Sequence, residues 1–283
     1  MVSRPVPLTV MTDLALGGRW TSLRAGEREW LWTNPAVSPA ERARVRPGVA
    51  FVDAGGGEEC FPSVTGMPER GHDHGDVWCR PWVGEPADAA ARTHDGLTLR
   101  RQLTEQAGVV RADYQITGPP GAPFLHAVHL LLEVSESARL HVPGTPRVRV
   151  LDHPEPGASI ETVWPVAVGV PADRLGPDDG TATCAIVAST AVEILDGDHL
   201  LALRWGADPG TPTSFMLWRN LGGWPAATPY RSIGIEPMLG ATGSLADAAP
   251  EETAIVPATG AIGWWLEIAA VSRSAVGPLE FAG

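Results

Sequence analysis

The stretch from Leu97 to Thr117 reads LTLRRQLTEQAGVVRADYQIT, and it decides the fold class. In its two halves, Leu97 to Thr104 and Val109 to Thr117, apolar side chains mostly occupy every second position. A period of two is typical of a β-strand that buries one face. Seven further apolar or alternating runs are bounded by Gly, Pro or Asp: Arg19 to Arg24, Glu29 to Trp32, Phe124 to Val134, Ala138 to Val142, Ala182 to Ser189, His199 to Trp205 and Gly263 to Val271.

Long amphipathic helical patterns do not occur in the sequence. Two short helices are predicted, Pro39 to Arg44 and Ser244 to Ala249, the second with Ser244 as its N-cap. The 32 glycines and 27 prolines among 283 residues suit many turns between short strands. These features predict an all-β sandwich with few short helices, built as a single domain over residues 1–283.

The charged residues limit the chemistry and the partners of this chain. All 21 basic residues are arginines, which excludes a Schiff-base lysine and a P-loop lysine. A net charge of −12 without a basic cluster argues against binding to nucleic acid or to an anionic membrane. The 11 tryptophans fit stacking on a sugar, although packing in the core is the commoner role of a tryptophan.

The cysteines and the N-terminus indicate a cytoplasmic protein. Cys60, Cys79 and Cys184 are an odd number without a CxxC pair, so neither a disulfide framework nor a thiolate zinc site is predicted. Residues 1–18 lack the features of a secretory signal, and no apolar run reaches the ~18 residues of a membrane span. The sequence does not determine the oligomeric state, and a homodimer is one assembly to test.

Two segments rich in histidine carry candidate chemistry. His72 and His74 have the spacing that opens the metal-binding cupin motif, but the glutamate that this motif needs is replaced by Trp78 or Cys79. A surface loop is the alternative there, and no metal is predicted. In the apolar run after Pro123, His126 and His129 are an odd number of residues apart. They should therefore lie on opposite faces of a strand, with only one of them in a cleft.

A third segment places Glu236 between apolar strand residues and Pro237. Burying a lone carboxylate is costly unless it is paired, hydrogen-bonded or functional. Glu236 is thus the most interesting acid in the chain, and a salt bridge to Arg231 or Arg219 is the structural alternative.

With these segments in order, the chain resembles the aldose 1-epimerase (galactose mutarotase-like) superfamily, in a less characterised branch with Asp-His-Gly and Gly-x-Glu-Pro motifs. The resemblance covers nearly the whole chain and implies the galactose-mutarotase-like β-supersandwich. The motifs that carry it, in family order, are Gly17 to Leu23, Glu29 to Pro35, Gly55 to Pro62, Asp73-His74-Gly75, Pro123 to His129, Gly222-Gly223-Trp224-Pro225 and Gly234-Ile235-Glu236-Pro237.

The resemblance also implies roles for three residues. His74 corresponds to a histidine that binds sugar hydroxyls, His129 to the general acid and Glu236 to the general base. Trp78 stands where the hexose-6-phosphate branch has arginine, which favours a neutral sugar. Neither a metal nor an organic cofactor is required. The predicted substrate-binding residues are Trp78, Arg80, Asp76, Trp82, His126, Asn220 and Trp224.

The chain is thus predicted to be a cofactor-independent aldose 1-epimerase, or mutarotase, that interconverts the anomers of a carbohydrate by acid/base ring opening. Two alternatives use the same pocket. One is isomerisation, elimination or ring closure on a glycoside or a specialised biosynthetic intermediate, and the other is carbohydrate binding without catalysis. A metal-dependent cupin-like enzyme is a third alternative.

Overall fold

The protein is described here by a computed structural model covering residues 5–65, 73–153, 155–167 and 170–272. One α-helix, α1 (Pro39–Arg42), and two short 3-10 helices, Leu14–Leu16 and Pro250–Glu252, occur in these ranges. No helix in the described ranges is long and apolar enough to cross a membrane. Strands β1 to β23 form the rest of the fold: Pro5–Val6, Leu8–Asp13, Arg19–Ala25, Arg28–Glu29, Gly57–Cys60, Val83–Glu85, Asp88–Arg92, Thr98–Gln106, Val109–Thr117, Pro123–Phe124, His126–Leu132, Arg139–His141, Arg147–Leu151, Ser159–Val163, Val166–Ala167, Val170–Pro171, Thr181–Val187, Ala191–Asp196, His199–Ala207, Thr213–Trp224, Tyr230–Leu239, Ala254–Ile255 and Ala261–Ser272.

Two large antiparallel sheets contain most of these strands. The first sheet has the order β12-β18-β19-β23-β9-β8-β7-β6, and β1 also pairs with β23. The second sheet has the order β14-β13-β17-β20-β21-β11-β5-β3-β2, and β4 also pairs with β3. Two small ribbons, β10 with β22 and β15 with β16, lie outside these sheets. The all-β architecture predicted from the sequence is confirmed.

A buried polar network joins the two sheets inside the apolar core. The Glu59 carboxylate, on β5 of the second sheet, accepts hydrogen bonds from Arg101 Nη1 at 2.7 Å and Tyr114 Oη at 3.1 Å, both from the first sheet. Trp20 Nε1 also donates to Glu59, at 3.0 Å. Burial alone would raise the pKa of Glu59, but its bond with His126 and the charge of Arg101 outweigh burial and lower the pKa to about 2.

Local sequence predicts some elements well. Val109–Thr117 is a strand over the predicted range, and helix α1 begins after Ser38, whose side chain forms a capping box with Glu41. The helix predicted from Ser244 to Ala249 is wrong, and a 3-10 helix at Pro250–Glu252 follows that segment. Six residues that end before a proline are too few to sustain a helix without packing support.

The bounds of the longest strands of the second sheet were not predicted, although Glu236 was expected among apolar strand residues. Thr213–Trp224 and Tyr230–Leu239 lack a regular alternation because most of their residues are buried on both sides. Every residue of β11 is buried as well. One face of these strands packs on the core. The residues on their other face are buried as well, and the cavity described next lies on that face.

Candidate active site

A cavity of about 470 Å³ opens on the face of the second sheet that points away from the Glu59 network. This volume is within the range of pockets that bind small molecules. Fifteen described residues line it: Phe51, Asp53, Val64, Thr65, Asp73, His74, His129, Leu151, Asp152, Ala182, Cys184, Met216, Trp218, Trp224 and Glu236.

The register of neighbouring strands brings His129 and Glu236 together. The pairs Ala127↔Met238 and Leu130↔Ile235 set the register of β11 and β21, and this register places His129 opposite Glu236. Opposite residues in an antiparallel pair point to the same face of the sheet. His129 Nδ1 consequently lies 3.6 Å from Glu236 Oε2.

Burial perturbs both members of this pair. Desolvation, with a contribution from the charge of Asp53, raises the pKa of Glu236 to about 8. Desolvation, with a contribution from His74, lowers the pKa of His129 well below its usual value of 6.5. Among the described residues, Glu236 Oε2 and both ring nitrogens of His129 have no hydrogen-bond partner. Unpaired polar atoms of this kind are rare in protein interiors, and here they face a cavity.

His74 enters the cavity from the loop after the undescribed residues 66–72. It has a left-handed backbone with φ 64°, and the next residue, Gly75, has φ 73°. A Cβ on Gly75 would lie 2.2 Å from the Phe61 carbonyl oxygen, so this loop needs glycine there. The His74 ring stacks on Phe51 with centroids 3.5 Å apart, and its centroid is 4.9 Å from that of His129.

Two tryptophans form an aromatic wall of the cavity. Trp218 and Trp224 are nearly perpendicular, with ring centroids 5.9 Å apart, and Trp224 is 47% exposed. Trp218 Nε1 donates to Ser232 Oγ at 3.0 Å. The Oδ1 atom of Asn220 accepts hydrogen bonds from the backbone of Gly223 and Trp224, which holds the end of β20 in place. Aromatic faces of this kind suit the apolar face of a sugar ring.

The structure brings four of the ten predicted site residues to the cavity: His74, His129, Trp224 and Glu236. Trp78 and Trp82 do not line it because both are buried in apolar clusters. Asp76 and Arg80 do not line it either, and their side chains pair with each other at 3.0 Å.

His126 and Asn220 also lie outside the cavity lining. His126 belongs to the Glu59 network, and its Nδ1 accepts a hydrogen bond from Trp264 Nε1 at 3.0 Å. Because indole nitrogen only donates, the His126 proton is on Nε2 and is donated to Glu59. The prediction that His126 and His129 lie on opposite faces of one strand, with one of them in a cleft, is confirmed.

Several lining residues were not predicted from the sequence, notably Phe51, Asp53 and Asp152. No local motif marks them, because Phe51 and Asp53 reach the cavity from the loop before β5 and Asp152 from the loop after β13. The sequence contains a weak indication for Trp218. It precedes Asn220, a predicted substrate-binding residue, by two positions and so lies on the same face of the strand. The Asp53 carboxylate accepts a hydrogen bond from Tyr230 at 2.6 Å.

One group of side chains at the cavity has the composition of a metal site. Cys60, His74 and His129 each offer one ligand atom, and these atoms lie within 4.8 Å of one another. His72, which the cupin alternative pairs with His74, lies outside the described residues.

Comparisons with known proteins support the fold. No protein-family model matches the chain, and no curated protein matches it either. Among solved structures, a galactose mutarotase related enzyme from Lactobacillus acidophilus is 12% identical, with 99% of each chain covered and a TM-score of 0.65. The Slr1438 protein from Synechocystis sp. PCC 6803 is 15% identical, with 96% of this chain and 97% of that chain covered and a TM-score of 0.66.

A third solved structure, from Klebsiella pneumoniae subsp. pneumoniae, is of a protein for which aldose 1-epimerase activity is proposed. It is 11% identical, with 95% of this chain and 78% of that chain covered and a TM-score of 0.70. At these identities the likeness concerns the fold. The chain therefore has the galactose-mutarotase-like β-supersandwich fold that its sequence motifs predicted.

Proposed function

We propose that the protein is a cofactor-independent aldose 1-epimerase that interconverts the anomers of a neutral sugar. The observation that carries this proposal is the pair of His129 and Glu236, both buried, 3.6 Å apart and facing a cavity of small-molecule size. Ring opening requires one group that removes the proton of the C1 hydroxyl and one that protonates the ring oxygen. Each well-placed group typically contributes about 10²- to 10⁴-fold in rate.

The pair needs one shared proton for this chemistry. Desolvation favours the neutral forms of both groups, so the proton resides on Glu236 at neutral pH. Its transfer to His129 produces a carboxylate and an imidazolium with no change in total charge. Glu236 then takes the proton of the C1 hydroxyl while His129 protonates the ring oxygen, and the C1–O bond breaks.

The open-chain aldehyde closes again by the same steps in reverse. Rotation about the C1–C2 bond presents the other face of the aldehyde to the hydroxyl of the chain. His129 takes back the hydroxyl proton as the ring forms, and Glu236 returns a proton to the oxygen on C1. The proton count of the pair is restored, so no oxidant, reductant or cofactor enters the reaction.

The other lining residues suit binding of an uncharged sugar. His74, Trp218 and Trp224 line the cavity. In this proposal His74 binds sugar hydroxyls, and the aromatic wall stacks on the ring. The described lining has four carboxylic acids and no arginine, which disfavours a phosphorylated sugar.

Polarimetry of freshly dissolved α-D-glucose and α-D-galactose tests the proposal. The protein should speed the approach to rotational equilibrium, and Glu236→Gln should reduce the catalysed rate at least about 100-fold. Exposed Glu136, away from the cavity, provides the matched control: Glu136→Gln should retain full activity. Absence of catalysis with all aldoses tested, or full activity of Glu236→Gln, would contradict the proposal.

A second function is favoured by the apolar part of the cavity. Leu151 and Met216 line it beside the aromatic wall, so a substrate with an apolar substituent would also fit. The same acid/base pair could isomerise, eliminate or close a ring on a glycoside or specialised intermediate. Tight binding of such a compound with turnover, but without mutarotation of simple sugars, would support this alternative. Sugar binding by calorimetry without any turnover would instead support a carbohydrate-binding protein.

A further inference from the structure

Three side chains able to bind a metal converge where the cavity meets the second sheet. Cys60 ends β5, His129 lies in β11 and His74 lies in the loop after residues 66–72. The pairing of Ala127 with Cys60 puts Cys60 on the same face as His129, because residues two apart in a strand share a face. The sheet register therefore places the thiol beside the imidazole.

The histidines at this point have free coordinating atoms. Both ring nitrogens of His129 lack a hydrogen-bond partner among the described residues, although the residue is only 8% exposed. His74 Nδ1 lies 3.1 Å from Asp73 Oδ1. A carboxylate beside one ring nitrogen is the usual way in which proteins orient a metal-binding histidine, whose other ring nitrogen then binds the metal. His74 Nδ1 itself forms no hydrogen bond with the described residues.

Glu236 offers a further donor atom beside His129. Glu236 Oε2 is 3.6 Å from His129 Nδ1 and has no hydrogen-bond partner among the described residues. Four donors of the types S, N, N and O form the ligand set of a tetrahedral zinc site with three or four protein ligands. Magnesium and calcium prefer sites made only of oxygen atoms.

We propose that Cys60, His74 and His129 bind a zinc-type divalent cation, with Glu236 or a water as the fourth ligand, and that this ion blocks the acid/base site. Metal–ligand bonds of about 2.0–2.3 Å require ligand atoms roughly 3.3–3.8 Å apart. The three atoms lie within 4.8 Å of one another, so each pair must approach by at most about 1.5 Å. As the sulfur–metal bond forms, the S–H bond of Cys60 breaks and its proton passes to solvent. No oxidation state changes.

Metal binding and blockage of the acid/base site depend on different observations. Metal binding rests on the three ligand atoms alone. Blockage rests on the proposed function, because the ion would occupy the lone pair of His129 that the epimerase reaction uses. Zinc would then be an inhibitor of this protein and not its cofactor.

Cobalt spectroscopy tests the binding site directly. Chelator-washed protein is titrated with Co²⁺, which gives visible bands in tetrahedral sites and a near-ultraviolet band when a thiolate is bound. We expect one Co²⁺ per chain, its displacement by Zn²⁺ and no competition from Mg²⁺. Absence of these bands in the wild-type protein would overturn the proposal.

The cysteines of the chain provide matched variants. Cys60→Ala should abolish the thiolate band and weaken Zn²⁺ binding at least about tenfold, since losing even a supporting group of a metal site costs that much. Cys184→Ala should bind as the wild type does, because Cys184 lines the cavity but is outside the three-residue cluster. Alanine suits the apolar surroundings of Cys60, and near-ultraviolet circular dichroism checks folding. A thiolate band that persists in Cys60→Ala would overturn the assignment.

Activity measurements test the blockage separately. Zn²⁺ should inhibit mutarotation by the wild type, a chelator should restore it, and Cys60→Ala should need at least about tenfold more Zn²⁺ for the same inhibition. Full activity of the wild type with the cobalt site saturated would overturn the blockage. If the protein does not mutarotate any sugar, the proposed function fails, and the cobalt spectrum alone decides the metal site.

Discussion

Replacing Glu236 by glutamine should change how the stability of the protein depends on pH. Glutamine keeps the shape of the side chain but cannot ionise. In the wild type the folded-state pKa of Glu236 is about 8, against 4.5 for the ordinary carboxyl. Between these values the folded protein retains a proton that the unfolded chain loses, so ionisation of Glu236 destabilises the wild type as pH rises.

The size of the effect follows from the two pKa values. The interval from 4.5 to about 8, at about 1.36 kcal/mol per pH unit, corresponds to at most about 5 kcal/mol. Relative to the wild type, Glu236→Gln should therefore become more stable from pH 5 to pH 9, with most of the gain below about pH 8. The buried His129 is present in both proteins, so its direct contribution largely cancels in the difference.

Urea unfolding at several pH values between 5 and 9 measures this difference. Glu136→Gln is the control, because it removes a carboxylate from the exposed surface and should show a nearly constant difference from the wild type. A difference for Glu236→Gln that is also constant, or that falls with rising pH, would refute the claim that Glu236 is buried without a charge partner.

Three further predictions concern the site and the core. The catalysed rate should fall above about pH 8, when Glu236 loses the shared proton, and at low pH, when His129 is also protonated; a pH–rate profile that is flat from pH 7 to 9.5 would contradict this. In Gly234→Ala, the added Cβ would lie 2.9 Å from Glu236 Oε1 and would displace the carboxylate. The kcat should therefore drop roughly 10- to 100-fold, whereas urea unfolding should show that the variant still folds. An active Gly234→Ala variant would show that the position of Glu236 tolerates displacement. Glu59→Gln should cost about 3–5 kcal/mol at pH 7 because it leaves Arg101 buried without its counter-charge. The folded-state pKa of Glu59 is about 2, so this loss should shrink as the pH falls from 4.5 towards 2, and urea unfolding that shows the same loss at pH 3 and pH 7 would contradict it.

The contrast between Glu59 and Glu236 shows that a sequence pattern can indicate a buried acid but not the partners of that acid. Both acids lie in strands of the second sheet, and both are buried. Glu59 faces the inter-sheet core, where Arg101 and His126 hold it ionised, whereas Glu236 faces the cavity with one oxygen unpartnered. The sequence marked Glu236 as a costly buried acid, but only the structure shows that Arg219 and Arg231 do not pair with it. Arg219 donates to the Leu175 carbonyl oxygen, and Arg231 pairs with Asp178.

Local alternation of apolar and polar residues was sufficient to predict a strand where one face of the strand is buried and the other is exposed. Val109–Thr117 alternates in this way, and its bounds were predicted. It was insufficient for Tyr230–Leu239, whose two faces contact the core and the cavity wall, because an apolar run has no period that distinguishes a strand from other buried segments.

By itself, the sequence determined the all-β class, the absence of lysine chemistry, the acidic charge and the order of the motifs that include His74, His129 and Glu236. Composition and strand period are properties of the chain itself, so they need no knowledge of long-range contacts. The tertiary structure decided which groups meet: His129 with Glu236, His126 with Glu59, and Cys60 with the two cavity histidines. These contacts depend on sheet order and register, which bring together residues far apart in sequence and which no local pattern specifies.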